Sequence, residues 1–262
     1  ISAEELWHRI VHIGEKLLAE REKRVRPGRD EKVLAAWNGL MLRAFALAAS
    51  VTGREEYRRV AEKNAAFLLE KLVVDGRLRR SYKDGQARFN GYLEDYACVA
   101  ARLFALYEAT FETRWLREAG ALADAVLDLF WEEAEGAFYD TGADHEELVT
   151  RPRDVYDNAT PSGNSVAVDV LLKLSVLLDR EDYREKAEAV LENLSGGIAR
   201  IPGGLGRLLS ALDFYLSTPY EVAIIGDREA SGTKALLETI YSSYLPNKVV
   251  AGCSESDISM SA

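Results

Sequence analysis

The sequence predicts a mainly α protein: a partial α/α toroid with short β-ribbons in its loops and a small C-terminal βαβ tail. Two observations indicate this fold class. Nearly all-apolar helical segments alternate with amphipathic ones, and the amphipathic segments repeat one another along the chain. The 262 residues, 48% of them hydrophobic, are enough to bury a large core.

The first kind of segment is apolar on nearly every face and recurs at 33–50, 93–109 and 162–178. From Val33 to Val51, only Asn38, Arg43 and Ser50 interrupt Ala, Leu, Met, Phe, Trp and Gly. A helix without a polar face has to be covered on all sides. We therefore predict that these segments are the inner helices of the toroid and its least exposed elements.

The second kind of segment, at 54–73, 113–131 and 181–194, has one apolar stripe against a charged face. Each of these helices opens with an arginine and an aromatic residue, and an alanine follows the aromatic four residues later. The three copies are Arg54/Tyr57/Ala61, Arg114/Trp115/Ala119 and Arg180/Tyr183/Ala187. This repeat predicts an outer ring of helices that covers the inner ring.

The connections carry turn signals. Asp75-Gly76 and Asp84-Gly85 separate strand-like stretches, a pattern typical of β-hairpins, and a second ribbon is predicted near 136–149. Near the C-terminus, apolar stretches at 220–226 and 248–252 flank a helical segment at 230–243, which predicts a βαβ unit.

These elements predict three regions: an α/α-toroid portion at 1–217, a βαβ appendage at 218–253 and a disordered tail at 254–262. About eight helices can be counted, whereas a complete toroid of six hairpins has twelve. The chain is therefore expected to hold only part of a toroid, with both of its ends as cut edges. Inner-helix faces left uncovered would form an apolar patch, so we expect self-association.

Composition excludes several classes of function. The net charge of −10 and the pI of about 5.0 argue against a nucleic-acid partner. The sequence contains no uncharged apolar run of about 18 residues, so no membrane span is predicted. Cys98 and Cys253 lack metal-type spacing, and His8 and His12 lack the glutamate of a zinc motif, so neither a metal nor a cofactor is predicted. Cysteine poverty favours a reducing compartment, and we expect a cytoplasmic protein.

The starts of the inner helices are where chemistry is expected. In a toroid these helices run parallel, so their N-termini gather at one mouth, and each predicted start carries an acid: Asp30, Asp95 or Asp157. Two interpretations stay open, because acids at helix starts are also ordinary caps and dipole partners. The polar and aromatic residues predicted to line the same mouth are Trp37, Asn38, Tyr92, Tyr96, Tyr156, Asn158, Ser162 and Asn164.

Four blocks of sequence at these helix starts resemble one known family. They are Asp30-Glu31-Lys32-Val33-Leu34, Trp37-Asn38-Gly39-Leu40-Met41, Leu93-Glu94-Asp95-Tyr96-Ala97 and Asp157-Asn158-Ala159-Thr160-Pro161-Ser162-Gly163-Asn164-Ser165. The family is the thioredoxin-domain-containing one that includes spermatogenesis-associated proteins and bacterial YyaL-like proteins. The resemblance implies a thioredoxin-like domain followed by a six-hairpin glycosidase-like toroid. This chain resembles the later part of the toroid, so we expect it to lack the thioredoxin-like domain, which becomes an expected partner.

The resemblance and the helix-start acids together favour a sugar-like ligand bound or processed at the mouth. Asp95 and Asp157 would be the acid/base pair of a glycoside hydrolase- or lyase-like reaction. Epimerases of related fold use histidines, and His145, like His8 and His12, lies at no inner-helix start, which disfavours epimerisation. The alternative is a non-catalytic scaffold that supports the thioredoxin-like domain. An open, polar, aromatic-walled cavity at the mouth favours the first hypothesis, and a plugged mouth favours the second.

Overall fold

The computed structural model of the protein describes residues 1–146 and 149–253, which fall into two compact units, 1–32 and the chain from Val33 onward. The first unit holds helix α1 (Ala3–Glu22), which starts with a capping box between Ser2 and Glu5. The predicted boundary at residue 217 stays a prediction. The predicted tail at 254–262 lies outside the described residues.

The second unit is built from helical hairpins, and the partial α/α toroid is confirmed. Consecutive inner helices pack side by side, and an outer helix packs against each of the first three. In chain order the helices are α2 (Ala35–Thr52), α3 (Glu55–Leu72), α4 (Leu93–Thr110), α5 (Thr113–Phe130), α6 (Gly163–Leu178), α7 (Glu181–Arg200), α8 (Gly206–Leu216) and α9 (Ser231–Ser242). The even-numbered helices from α2 to α8 are inner, and α3, α5 and α7 are outer.

The repeated arginine and aromatic residue of the outer helices form one local contact that recurs three times. The guanidinium lies over the aromatic ring at 4.7 Å in α3, 3.9 Å in α5 and 4.1 Å in α7. The alanine that follows is fully buried in each case. The repeat therefore marks the first turns of the outer helices, where a cation covers the ring and a small side chain allows close packing.

Short antiparallel ribbons connect the hairpins, as predicted. The first sheet contains β1 (Val33–Leu34), β2 (Val73–Val74), β3 (Arg77–Lys83) and β4 (Gln86–Asn90), in the order β1-β3-β2 with β4 also paired to β3. Both residues of Asp75-Gly76 and of Asp84-Gly85 have positive φ, the backbone geometry of tight hairpin turns. A second ribbon pairs β5 (Trp131–Glu132) with β6 (Ala137–Phe138).

The C-terminal βαβ unit is also present. Strands β7 (Tyr220–Ile225) and β8 (Lys248–Cys253) pair in parallel, and α9 connects them. Two parallel strands require a crossover connection between them, so a helical segment between two apolar stretches predicts a βαβ unit. Val250 donates a backbone hydrogen bond of 3.0 Å to the carboxylate of Glu108, and this contact docks β8 on α4.

Burial of the inner helices differs from the prediction at one helix. Helices α4 and α6 are buried over most of their length, as expected. Helix α2, predicted to be covered on every side, instead exposes Trp37, Met41, Leu47 and Val51 by half or more of each side chain. Helices α4 and α6 each have an inner helix on both sides. Within the described residues α2 packs against one inner helix, α4, so one side of α2 is an edge of the inner layer.

Within residues 1–146 and 149–253, every helix is too short or too polar to cross a membrane.

The exposed α2 stripe predicts self-association of the chain. Replacing Trp37 and Met41 together by lysine should shift the protein to monomer, because charged side chains resist burial in an apolar interface. Sedimentation velocity over a range of concentrations measures the shift. Leu216→Lys combined with Leu236→Lys, at exposed positions on α8 and α9, is the control and should not change the distribution. A wild-type chain that stays monomeric at high concentration would contradict the prediction.

Candidate functional site

Asp95 ties together the starts of two inner helices. Its carboxylate accepts a hydrogen bond of 3.0 Å from the backbone N–H of Ala36, in the first turn of α2. It accepts another of 3.0 Å from the N–H of Tyr92, immediately before α4, and one of 3.2 Å from the Arg80 guanidinium on β3. These backbone donors belong to helix starts, which lack intrahelical partners. Asp95 therefore serves as a cap for two helices at once.

Burial dominates the electrostatics of Asp95, whose exposed fraction is 1%. Loss of hydration raises the pKa of Asp95 to about 6, although Arg80 and the two backbone N–H groups act in the opposite direction. The hydrogen bonds of the carboxylate are those of a structural helix cap, whereas its raised pKa is the one expected of a proton-transfer group. Its acid/base role stays a prediction.

Asp157 repeats this arrangement at the next pair of inner helices. Its carboxylate accepts a hydrogen bond of 3.0 Å from the N–H of Ser162, the residue that precedes α6. It accepts a second of 2.6 Å from the N–H of Arg207, in the first turn of α8. Asp157 is thus also engaged by backbone donors from two helix starts, and its predicted catalytic role stays a prediction.

A close contact joins the two helices linked by Asp95, α2 and α4, to the two linked by Asp157, α6 and α8. A Cβ atom added at Gly163, the first residue of α6, would lie 2.9 Å from the backbone nitrogen of Glu94 at the start of α4. Only glycine allows this approach. The starts of α2, α4, α6 and α8 consequently lie in sequence around one mouth. The sequence predicts this for the first three, and the start of α8 is added by the structure.

A cavity of about 380 Å³ opens beside the starts of α4 and α6, and we call it the mouth cavity. Four residues predicted for a ligand site line it, and so do residues that sequence reasoning did not select. The predicted ones are Tyr92, Tyr156, Asn158 and Ser162; the additional charged ones are Arg80, Glu94, Asp140 and Asp154. Its wall therefore combines aromatic rings, carboxylates and one guanidinium.

Three predicted wall residues lie elsewhere. The hydroxyl of Tyr96 is buried and accepts hydrogen bonds from the N–H of Leu78 and the guanidinium of Arg77, so it anchors β3 on α4. The Asn38 amide donates to the backbone carbonyl of Leu34 and accepts from Asn64 on α3, which turns it toward the outer helix. Trp37 lies on the exposed stripe of α2. All three are close to a helix start in sequence, but their helical phase directs them away from the cavity.

The remaining predicted residues serve the backbone. The Ser162 hydroxyl caps α6 by accepting the N–H of Ser165 at 3.1 Å. The Asn164 amide donates to the carbonyl of Asp154 at 3.2 Å, which holds the loop before α6. Asp30 belongs to the first unit, where its carboxylate accepts the N–H of Lys32 at 3.2 Å. Its predicted role in a ligand site stays a prediction.

Asp140 is one of the titratable residues of the mouth cavity that sequence reasoning missed. It follows β6 and lies at no helix start, so the search for helix-start acids passed over it. Its carboxylate accepts a hydrogen bond of 2.8 Å from the N–H of Asp154. Burial raises the pKa of Asp140 to about 6, with smaller contributions from the neighbouring Asp154 and Glu94 charges. The only available signal was an acid at the end of a predicted ribbon.

Arg80 organises the opposite side of the cavity. Its guanidinium donates a hydrogen bond of 2.8 Å to Glu94 and lies 4.5 Å from the centre of the Tyr92 ring. The imidazole of His145 packs on the same ring at 5.3 Å. His145 lies at no inner-helix start in the sequence, but the loop after β6 brings its ring against Tyr92 at the start of α4.

Curated proteins of two mammals are similar to this chain in sequence. Spermatogenesis-associated protein 20 of Rattus norvegicus is 38% identical over 247 residues, which cover 90% of this chain and 31% of that protein. The Homo sapiens protein of the same name is 37% identical with the same coverage. The chain thus spans about a third of the length of the curated relatives it matches. No family model matches the chain.

Solved structures share the fold at low sequence identity. Cellobiose 2-epimerase from Bacillus thermoamylovorans has a TM-score of 0.54 at 15% identity, over 64% of this chain and 45% of that one. Unsaturated glucuronyl hydrolase from Bacillus sp. GL1 has a TM-score of 0.52 at 20% identity, over 67% and 50% of the two chains. At such identities the likeness shows the α/α-toroid fold alone. These neighbours are sugar-processing enzymes.

Asp95→Asn should flatten the pH dependence of stability. The pKa of Asp95 is raised from 3.8 to about 6 in the folded chain, so the folded state binds this proton more tightly than the unfolded state does. The resulting stability is complete below pH 3.8 and is lost as pH rises through about 6. At about 1.4 kcal/mol per pKa unit, the loss is about 3 kcal/mol.

Urea unfolding of wild type and Asp95→Asn between about pH 4 and pH 7 measures this difference. Asp140 has a similarly raised pKa and is present in both proteins, so it cancels in the comparison. Identical pH slopes in the two proteins would show that the Asp95 carboxyl titrates normally.

Gly163→Ala should destabilise the chain by about 1–3 kcal/mol, because the new methyl group would overlap the backbone of Glu94 and push α4 and α6 apart. Gly196→Ala is the matched control. It lies within α7, and apart from the backbone of that helix no described atom lies within 4 Å of the added Cβ, so the change should be neutral or stabilise by up to about 1 kcal/mol. Chemical unfolding midpoints compare the two; equal effects would exclude tight contact at the mouth.

Proposed function

Because the chain is a homologue of part of spermatogenesis-associated protein 20 and has the α/α-toroid fold, we propose that its mouth cavity binds a polyhydroxylated, sugar-like ligand. The observation that carries the proposal is the lining of that cavity. Tyr92 and Tyr156 supply aromatic surface, and Arg80, Glu94 and Asp140 supply charged hydrogen-bonding groups. Ligand sites typically combine apolar walls with a few convergent polar groups of this kind.

The two tyrosines have different roles in this proposal. Tyr92 is fixed between Arg80 and His145, so it is a rigid part of the wall. Tyr156 is 46% exposed, its backbone N–H donates to the Asp154 carboxylate at 3.0 Å, and one edge of its ring lies beside Gly204. The exposed part of the ring can cover the apolar face of a sugar, while the carboxylates accept hydrogen bonds from the hydroxyl groups.

For chemistry on such a ligand, we propose Asp140 as proton donor and Glu94 as the second carboxylate of a hydrolase- or lyase-like reaction. The raised pKa of Asp140, about 6, suits a group that has to carry a proton near neutral pH. Reactions of this type use two carboxyl groups that flank the reacting bond. Asp95 and Asp157 are the competing pair, but each accepts backbone N–H groups from two helix starts, whereas Asp140 accepts one from a loop and lines the cavity.

The alternative proposal is a scaffold that supports a thioredoxin-like partner domain. The use of Asp95 and Asp157 as ties between helix starts favours it, since structural acids need no ligand. The open cavity with two tyrosines favours ligand binding, because a pure scaffold has no need for a polar, aromatic-walled mouth. We therefore place ligand binding first.

Isothermal titration with a panel of gluco- and manno-disaccharides, including cellobiose, tests ligand binding. Tyr156→Ala should weaken binding of the disaccharide that binds best by about tenfold or more, because it removes the ring that covers the ligand. Tyr220→Ala removes a similarly exposed ring on β7 and should leave binding unchanged. Absence of binding across the whole panel would favour the scaffold.

Turnover of a disaccharide that binds separates the two carboxylate pairs. Asp140→Asn should lower the rate by about a hundredfold or more, and the wild-type rate should fall as pH rises through about 6, where Asp140 loses its proton. Asp157→Asn should retain most activity, since an amide keeps one acceptor for the helix starts. The opposite order of effects would return the acid/base role to Asp157.

A further inference from the structure

A cluster of cations lies between the inner helices, apart from the mouth cavity. Each of the four inner helices contributes one: Arg43 from α2, Arg102 from α4, Lys173 from α6 and Arg207 from α8. We call these residues the inner cation cluster. Cations are rarely placed inside an apolar layer without a partner. Because every inner helix contributes one cation, we infer that the four side chains act on the same group.

Two adjoining cavities are lined by this cluster. A chamber of about 40 Å³ touches all four cations. A cavity of about 630 Å³ shares Arg43, Lys173 and Arg207 with the chamber and is also lined by aromatic side chains, including Phe214 and Tyr241. The chamber has room for about three water molecules, which is the size of one small polar group.

The carboxylates nearby do not balance the cluster. Asp169 forms ion pairs with Lys173, at 3.0 Å, and with Arg207. Burial alone would raise the pKa of Asp169, but those two cations outweigh it and lower the pKa to about 2. Burial raises the pKa of Glu108, the other acid of the chamber, to about 7, although Lys173 and Arg43 act in the opposite direction, so it is only partly ionised near neutral pH.

Arg102 is the least compensated of the four. It is 2% exposed, and among the described residues its Nε has no hydrogen-bond partner. Ion pairs within the described part of the chain include neither Arg43 nor Arg102. Burial lowers the pKa of Arg102 to about 10, a sign of how poorly the charge is solvated. A buried charge without a partner is costly, and a bound anion would remove that cost.

We propose that the inner cation cluster binds the phosphoryl group of a small phosphorylated molecule, whose organic part occupies the adjoining 630 Å³ cavity. A guanidinium group can donate two parallel hydrogen bonds to the oxygens of a phosphate. A phosphoryl group with two negative charges would neutralise the two arginines that lack ion pairs among the described residues. Phe214 and Tyr241 provide apolar surface for the rest of the ligand. The cluster shares no residue with the mouth cavity, so this proposal stands independently of the sugar-like ligand.

Titration with inorganic phosphate and with glucose 1-phosphate tests the proposal, with chloride at equal ionic strength as reference. Both phosphates should raise the Tm of the chain and bind in calorimetry, since a ligand that binds only the folded state stabilises it. The ester should bind more tightly if its organic part uses the larger cavity; equal affinities would assign the site to free phosphate. Acetate should have no effect. A response to acetate equal to that to phosphate, or no response to either phosphate, would overturn the proposal.

Arg102→Met should weaken phosphate binding by tenfold or more and abolish the phosphate-dependent rise in Tm. In phosphate-free buffer the same variant should melt above wild type, because an unpaired buried charge has been removed. Arg102→Lys retains the charge without the planar fork and should be intermediate. Arg59→Met, at an exposed position on α3, is the matched control and should bind phosphate like wild type. If Arg102→Met fails to fold, Arg43→Met provides the same comparison. Unaltered phosphate binding in the folded cluster variants would exclude the inner cation cluster as the site.

Discussion

The second unit depends on the backbone donors that helix starts leave without partners. Four inner helices begin around one mouth, and two carboxylates, Asp95 and Asp157, each satisfy donors from two neighbouring starts. The contact at Gly163 then joins the two pairs. A negative charge near these N-termini is also favoured by the helix dipoles. Two acids and one glycine therefore fix the relative position of the whole inner layer.

The mouth cavity is a consequence of this arrangement. Because Asp95 and Asp157 are engaged with backbone groups, the surface that a ligand can reach is formed by other residues. The loop after β6 brings Asp140 and His145 beside α4, and Arg80 on β3 holds Glu94 and Tyr92 from the other side. The proposed sugar-like ligand would therefore meet side chains from loops and ribbons, while the helix starts supply the rigid frame.

Charges of opposite sign lie in different parts of the inner layer. Carboxylates dominate its mouth, whereas the inner cation cluster lies between the helices, with Asp169 held by Lys173 and Arg207. Buried charges of one sign are stable only with partners. At the mouth the partners are backbone N–H groups and Arg80, which belong to the chain itself. In the interior the chain supplies too few anions, and this imbalance is the basis for proposing a phosphorylated ligand there.

The sequence by itself determined the helical hairpins, the βαβ tail and the Arg–aromatic repeat of the outer helices, because periodicity and turn chemistry act over a few neighbouring residues. It also selected Tyr92 and Tyr156, which line the mouth cavity, while their role in binding a ligand stays a prediction. Tertiary structure alone decided that Tyr96 is buried against β3 and that Asp140 enters the cavity. It also decided that α2 is an edge helix with an open face. Those outcomes depend on which segments meet across long sequence separations, and a local pattern contains no information about such encounters.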